Sequence, residues 1–198
     1  MGISPAEFQK LQQRLGGRRK PETNQAAAPR VRFTRVLGID PSLRGTGFGV
    51  IEMVSGVSRL VAAGTVKCSP TWPRSRCLAH IASSLRDVLR NHAPEVCAVE
   101  GLFFAQNLRT AITMGEARGA GLAMVAEAGL PIYELAPRQV KLAIVGFGGA
   151  QKLAVAKMVQ RMLDLPEIPD PDAADALGLA LAFVQNSQGS AATRLKMV

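Results

Sequence analysis

Apolar residues in the first half of the chain follow the patterns of β-strands. RVLGID, at 35–40, is a nearly continuous apolar run that ends on Asp40, as in a central strand covered on both faces. Two further apolar runs, at 47–54 and 57–68, flank Ser55-Gly56, which is typical of a tight turn. The pattern therefore predicts an antiparallel meander of three strands.

The second half of the chain alternates between helical and strand periodicity. Apolar residues recur at helical spacing over 75–92, and a short apolar strand follows at 95–102. A long helix is predicted over 107–129, a fifth strand over 131–137, and helices over 138–146, 151–165 and 169–186. This order predicts an α/β fold with a mixed five-stranded sheet and helices on both faces.

Positive charge is concentrated at the start of the chain. Of a net charge of +9 over 198 residues, +6 lies before residue 36, where eight Lys or Arg face two Glu. Residues 1–33 are predicted to form a basic flexible arm, 34–187 a folded domain, and 188–198 a flexible tail. A basic arm favours an anionic partner, while the folded part is closer to neutral.

Cysteine usage and hydropathy limit the cellular compartments in which the protein is expected. Cys68, Cys77 and Cys97 are an odd set without CxxC spacing, which argues against a disulfide framework or a zinc site. No apolar stretch approaches the ~18–20 residues needed to cross a bilayer, and no signal-peptide core is recognised. We expect buried thiols in a cytoplasmic protein without a membrane segment.

Four acidic residues stand where surface acids are uncommon. Asp40 and Glu100 each end an apolar strand, and Asp172 and Asp175 lie on one face of the last helix. If the two strands are neighbours and the helix crosses their ends, all four carboxylates meet in one small volume. All-oxygen ligation suits Mg²⁺ or Mn²⁺, and a pair of such ions can promote phosphodiester hydrolysis.

Each acid also has an ordinary structural explanation. Asp40 precedes Pro41 and can open a turn, and Glu100 can be a surface acid at a strand end. Asp172 and Asp175 suit a helix N-terminus that begins at Asp170 and Pro171. Only their joint placement favours a metal site. The glycines at 45, 47 and 49 lack the spacing of a nucleotide-binding loop and indicate close backbone approach instead.

Five motifs in order give the chain a family resemblance. They are LGIDPSLRGTGFGVI, AVEGLFFAQN, MGEARGA, PRQVKLAIVGFGGAQK and DAADALGLAL, and together they run through nearly all of 35–186. The chain resembles the RuvC family of Holliday-junction resolvases, which are nucleases with an RNase H-like fold. The resemblance implies a site for two Mg²⁺ ions, replaceable by Mn²⁺, on Asp40, Glu100, Asp172 and Asp175.

The resemblance also assigns basic and aromatic residues. Lys141 is implied as a catalytic residue and Lys152 as a lysine beside the active site and the DNA backbone. Arg138 and Arg109 are weaker candidates for phosphate contact. Phe103 is implied as the aromatic side chain that stacks on a base at the crossover, although the sequence does not separate it from Phe104.

The implied function is a structure-selective endonuclease that resolves four-way DNA junctions by symmetric paired nicks in recombination and repair. The implied partners are junction DNA, a second copy of the chain and a branch-migration complex of the RuvA–RuvB type. Two alternatives are another RNase H-like nuclease with a different branched or hybrid substrate, and a junction-binding scaffold without catalysis.

The sequence leaves open how the long helix packs, and it allows one expectation about the N-terminal arm. A stripe of small residues on the long helix can pack against the sheet or across a dimer axis; its members are Ala111, Gly115, Gly119 and Ala123. The arm is expected to contact DNA without sequence preference, so deletion of residues 1–33 should weaken binding and reduce its salt dependence.

Overall fold

The chain is described by a computed structural model that covers residues 33–101, 107–188 and 195–198. Its strands are β1 (Arg35–Asp40), β2 (Gly45–Val54), β3 (Val57–Lys67), β4 (Val96–Glu100), β5 (Ile132–Leu135) and β6 (Lys196–Met197). Its helices are α1 (Arg74–His92), α2 (Leu108–Glu127), α3 (Pro137–Val145), α4 (Lys152–Met162) and α5 (Pro171–Gln188).

The strands form one mixed sheet in the order β3-β2-β1-β4-β5-β6. The predicted meander is confirmed, because β1 to β3 pair antiparallel around a turn in which Ser55 and Gly56 have φ of 53° and 84°. Strands β4 and β5 extend the sheet in parallel from β1.

The prediction of five strands was one short. β6 pairs antiparallel with β5, so that Tyr133 faces Met197 and Glu134 faces Lys196. This strand lies in the segment predicted as the C-terminal tail. A strand of two residues shows no periodicity in the sequence, and what defines it is backbone pairing with the open edge of β5.

Helices cover both faces of the sheet, as predicted. One apolar core forms between the sheet and α3, α4 and α5, and includes Val36, Val96, Leu177 and Phe183. The other forms beneath α1 and α2; its buried members include Leu37, Ile39, Ile81, Leu85 and all three cysteines. The cysteines are free thiols, in line with the prediction. None of the helices that the structure describes is both long and apolar enough to span a bilayer.

Glycines in β1 and β2 let the backbone of α5 lie directly on the sheet. A Cβ atom added to Gly38 would stand 1.9 Å from the carbonyl oxygen of Ala176, and one added to Gly47 would stand 2.0 Å from that of Asp172. Gly49, which pairs with Gly38, leaves room for Leu177. This contact fixes the first turns of α5 beside the end of β1.

Candidate active site

Asp40 and Glu100 end two parallel neighbouring strands at the same edge of the sheet. The register pairs Val36 with Val96 and Ile39 with Val99, so that the next residues along are the two acids. Because side chains alternate along a strand, Asp40 lies on the same face as Gly38, and that face is covered by α5. Both carboxylates therefore point toward the start of that helix.

Helix α5 supplies a third carboxylate, and two lysines complete the charged lining. Asp40, Glu100 and Asp175 line a cleft of about 150 Å³ together with Lys141 of α3 and Lys152 of α4. The remaining lining residues are Pro137, Val140, Val155 and Leu179. Acids and lysines that are far apart in sequence thus converge on one narrow cleft.

Asp172 takes a different position from Asp175. Its carboxylate lies over β2, where Oδ2 would stand 2.6 Å from a Cβ atom on Gly45, and it is not part of the cleft lining. Its charge still reaches the cleft, since it contributes to raising the pKa of Asp40. The acids thus comprise three in the cleft and one at its margin.

The cleft carries uncompensated negative charge. Burial, followed by repulsion from Glu100 and Asp175, raises the pKa of Asp40 from 3.8 to about 7. Burial and the charge of Asp175 also raise the pKa of Glu100, against the opposing effects of a hydrogen bond with Asp40 and of the two lysines. Carboxyl groups held this way retain protons that exposed acids lose.

Lys152 partly neutralises the cluster through a contact with Asp175. Its Nζ donates a hydrogen bond of 2.7 Å to Oδ2 of Asp175, and this bond raises the pKa of the lysine. The Lys152 side chain is largely exposed, while the Asp175 side chain is only 26 % exposed. The charge of Lys141, like that of Lys152, lowers the pKa of Glu100.

The structure separates the other predicted residues from this cluster. Arg138 lies on the first turn of α3, outside the cleft, and packs against Gly148. Arg109 is exposed at the start of α2, where its backbone N–H donates to Oδ1 of Asn107 over 2.8 Å, and it does not line the cleft. Phe103 and Phe104 lie outside the described residues.

Sequence reasoning missed a partly buried ion pair behind Glu100. Arg118 of α2 donates from Nε to the backbone oxygen of Glu100 over 3.3 Å and from its guanidinium to Oε2 of Glu134 over 2.6 Å. The Arg118 side chain is only 12 % exposed. Arg118 lies within the MGEARGA motif, but its role depends on β5 lying next to β4, which the motif does not reveal.

The donor set fits divalent cations. The cleft offers only carboxylate oxygens as ligands, as Mg²⁺ and Mn²⁺ prefer, and the raised pKa values show negative charge that a cation would neutralise. In the part of the chain that the structure describes, no three Asp, Glu, His or Cys side chains are already arranged as a metal cage. Three of the acids line one cleft, and the Lys152 ammonium is hydrogen-bonded to one of them, Asp175.

Comparison with known proteins identifies the family. The family model described as "Crossover junction endodeoxyribonuclease RuvC" matches residues 36–183. The chain belongs to the RuvC family. A RuvC of Roseiflexus sp. (strain RS-1) is 44 % identical over 149 residues, covering 75 % of this chain and 89 % of that protein. A RuvC of Pelotomaculum thermopropionicum is 39 % identical over 162 residues, covering 81 % and 99 %.

Solved RuvC structures confirm the RNase H-like fold. Thermus thermophilus RuvC, in complex with a Holliday junction substrate, is 36 % identical and superposes with a TM-score of 0.76 over 83 % of this chain and 99 % of that chain. The yeast mitochondrial Holliday junction resolvase is 12 % identical, with a TM-score of 0.57 over 81 % and 83 %, and shares the fold. Dependence on a divalent metal accompanies membership of the RuvC family.

Proposed function

We propose that the chain is an endonuclease that resolves four-way DNA junctions by symmetric paired nicks in recombination and repair. The observation that carries the proposal is the meeting of Asp40, Glu100 and Asp175 with two lysines in one cleft, in a chain of the RuvC family. A scaffold without catalysis gains nothing from carboxylates held so close that burial and repulsion raise the pKa values of Asp40 and Glu100.

Asp40, Glu100, Asp172 and Asp175 are the residues that would hold Mg²⁺, two ions per active site, with Mn²⁺ as a substitute. When bound, such ions activate a water molecule and stabilise the leaving oxygen of a phosphodiester. Lys152 and Lys141 line the cleft beside the carboxylates and offer ammonium groups to the phosphate oxygens. The charge of the lysines draws the DNA backbone into a cleft that would otherwise repel it.

Substrate comparison tests the reaction. Full-length protein with Mg²⁺ should cut a mobile four-way junction in preference to linear duplex, a flap or an RNA–DNA hybrid, leaving 5′-phosphate ends. A preference for the flap or the hybrid would support the alternative of another RNase H-like nuclease. Binding of the junction without any cutting, in a protein that also fails to bind Mn²⁺, would support the scaffold.

Metal binding should release protons in a pH-dependent way. Asp40 has a pKa of about 7 in the metal-free protein, and a metal ligand must be deprotonated. Below pH 7 the ion therefore displaces a proton, and apparent Mn²⁺ affinity should fall by up to roughly tenfold for each pH unit between 7 and 5. Calorimetric titration with Mn²⁺ in buffers of different ionisation enthalpy measures both quantities.

The stability of the metal-free protein should also depend on the ionisation of Asp40. Because the pKa of Asp40 is raised on folding, its contribution favours the folded state below pH 4 and is lost as the pH rises through 7. Asp40→Asn should remove this loss and raise the Tm of the metal-free protein at pH 8 relative to wild type. Proton release unchanged from pH 6 to pH 8.5 in wild type would contradict the assignment of Asp40.

The small-residue stripe of α2 supports a homodimer. Among the described residues, a Cβ atom added to Gly115 or Gly119 meets nothing within 4 Å, whereas one added to Gly121 meets Leu85 of α1 at 3.2 Å. The stripe thus points away from the protomer's own core, which favours the packing across a dimer axis. Two symmetric strands of a junction need two related active sites, which a twofold dimer provides.

Gly119→Leu should shift the protein from dimer to monomer. Leucine is a better helix former than glycine and meets no neighbour among the described residues of the protomer, so the fold should persist while close helix contact across the axis is lost. Analytical ultracentrifugation measures the change, with Ala79→Leu on an exposed position of α1 as the matched control. An unchanged dimer in Gly119→Leu would contradict this interface.

The proposal includes three expectations from the sequence, which concern the compartment, the partner complex and the N-terminal arm. The protein acts in the cytoplasm, a branch-migration complex of the RuvA–RuvB type brings it the junction, and residues 1–33 add sequence-independent contact with DNA. The basic composition of that segment supports the last of these.

A further inference from the structure

An open depression adjoins the active-site cleft on the outer side of α3. Its volume is about 660 Å³, and its lining consists of Ala136, Pro137, Arg138, Gln139 and Leu142. Pro137 lines both the depression and the cleft. A chain that leaves the cleft over Pro137 therefore enters the depression directly.

The depression and its border expose apolar side chains. Leu142 is 57 % exposed, and Phe147, in the loop between α3 and α4, is 66 % exposed. Phe147 is the only aromatic residue among the exposed large hydrophobic side chains of the described residues. An apolar patch beside a charged cleft indicates a binding surface, since water solvates it poorly.

The loop that carries Phe147 folds back onto the first turn of α3. A Cβ atom added to Gly148 would stand 2.7 Å from Cγ of Arg138, which lines the depression. A Cβ atom added to Gly149 would stand 2.8 Å from Cζ of Phe147, so the ring lies over the loop backbone. The N–H of Ala150 donates to the backbone oxygen of Phe147 over 3.1 Å and closes the turn. Phe147 thus lies in a loop that packs against Arg138, a lining residue of the depression.

Positive charge surrounds this apolar surface. Arg138 is part of its lining, and Lys141 and Lys152 stand in the adjoining cleft. Cations beside an aromatic and an aliphatic surface match the two parts of a nucleotide, because the backbone phosphate is anionic and every base has an apolar face.

We propose that the depression and Phe147 form a subsite for one nucleotide of the strand being cut, next to the scissile phosphate. Its base lies against Phe147 and Leu142, and its phosphate contacts Arg138. The inference rests on the proposed function, and it concerns a different aromatic residue from Phe103. The occupant is junction DNA because the depression continues the cleft that receives the scissile phosphate.

A fluorescent base tests the subsite in the full-length protein. Four-way junctions carry 2-aminopurine at each of three positions on either side of the cleavage site, and Asp175→Asn serves as the parent protein to suppress cutting. At one of these positions the fluorescence should change on binding, and Phe147→Ala should abolish that change. The same substitution should weaken junction binding about tenfold, as expected for the loss of one stacked base.

Two variants control the experiment. Phe147→Trp should restore affinity, and its own emission should be quenched by the junction. Val57→Ala removes a side chain of similar exposure, 58 %, at the turn between β2 and β3, and should change neither affinity nor 2-aminopurine fluorescence. Thermal unfolding of each variant checks that the fold is retained.

The outcomes separate this inference from the proposed function. If wild type cuts junctions and Phe147→Ala binds them with the parent's affinity and fluorescence, the subsite alone is overturned. If Phe147→Ala changes the oligomeric state and not the fluorescence signal, a second copy covers the patch and the subsite is also overturned. If wild type neither binds nor cuts junctions, both proposals fail.

Discussion

Asp40→Asn and Asp175→Asn should each slow junction cleavage by on the order of 10³-fold or more, because metal-ion catalysis of hydrolysis supplies several kcal/mol. Each substitution removes a carboxylate that lines the cleft, while the neutral amide keeps its size. Junction affinity should be retained or rise, since fewer negative charges then face the phosphates. Single-turnover cleavage of a labelled junction in Mg²⁺, beside a binding titration, measures the two effects separately.

Asp87→Asn is the matched control for these variants. Asp87 lies on α1, where it forms an exposed ion pair of 2.9 Å with Arg90, and exposed pairs contribute little to stability. It should cut junctions at the wild-type rate. Asp172→Asn should also lose activity, although Asp172 lies at the margin of the cleft. Near-normal cleavage by Asp40→Asn or Asp175→Asn in Mg²⁺ would contradict the assigned site.

The placement of two acids could be read from the sequence for a simple physical reason. Asp40 and Glu100 each end an apolar run, and side chains alternate along a strand, so each acid is tied to the face on which the preceding apolar residues are buried. Register then decides whether the two meet, and β1 and β4 pair in parallel with their ends aligned. The long helical patterns were equally readable, because their apolar faces repeat over several turns.

Contacts between the helices and strands could not be predicted from the sequence. Arg118 supports the backbone of Glu100 only because α2 packs across the ends of β4 and β5, where Glu134 is a partner. Helical spacing placed Asp172 and Asp175 on one face, but the docking of α5 on glycines turned only Asp175 into the cleft. Local patterns specify which face is apolar, while the angle and depth of docking depend on both surfaces at once.

The pairing of Lys152 with Asp175 has the same origin. The motif implies a lysine near the active site, yet the 2.7 Å contact depends on how the start of α4 meets α5. The return of the loop at 146–150 onto Arg138 is likewise set by tertiary contact.

Gly38→Ala should destabilise the fold and disable the site, because one methyl group would separate α5 from the sheet. The added Cβ would lie 1.9 Å from the carbonyl oxygen of Ala176 and 3.0 Å from the backbone nitrogen of Ala180, and neither is a flexible side-chain end. Overpacking of this kind costs about 1–3 kcal/mol and more where backbone must move, equivalent to roughly 2–4 °C in Tm for each kcal/mol. Thermal unfolding and calorimetric Mn²⁺ titration measure the two losses.

Gly64→Ala separates this effect from the general cost of a methyl group in the sheet. Gly64 lies in β3, and its added Cβ would meet only the Phe48 ring, at 3.0 Å, which can shift. Gly64→Ala should retain Mn²⁺ binding and unfold within a few degrees of wild type, whereas Gly38→Ala should lose Mn²⁺ affinity at temperatures where it is still folded. This second loss follows because α5 carries Asp172 and Asp175, so any shift of the helix from β1 moves both acids away from Asp40. Wild-type Tm and Mn²⁺ affinity in Gly38→Ala would show that α5 does not rest on the strand as described.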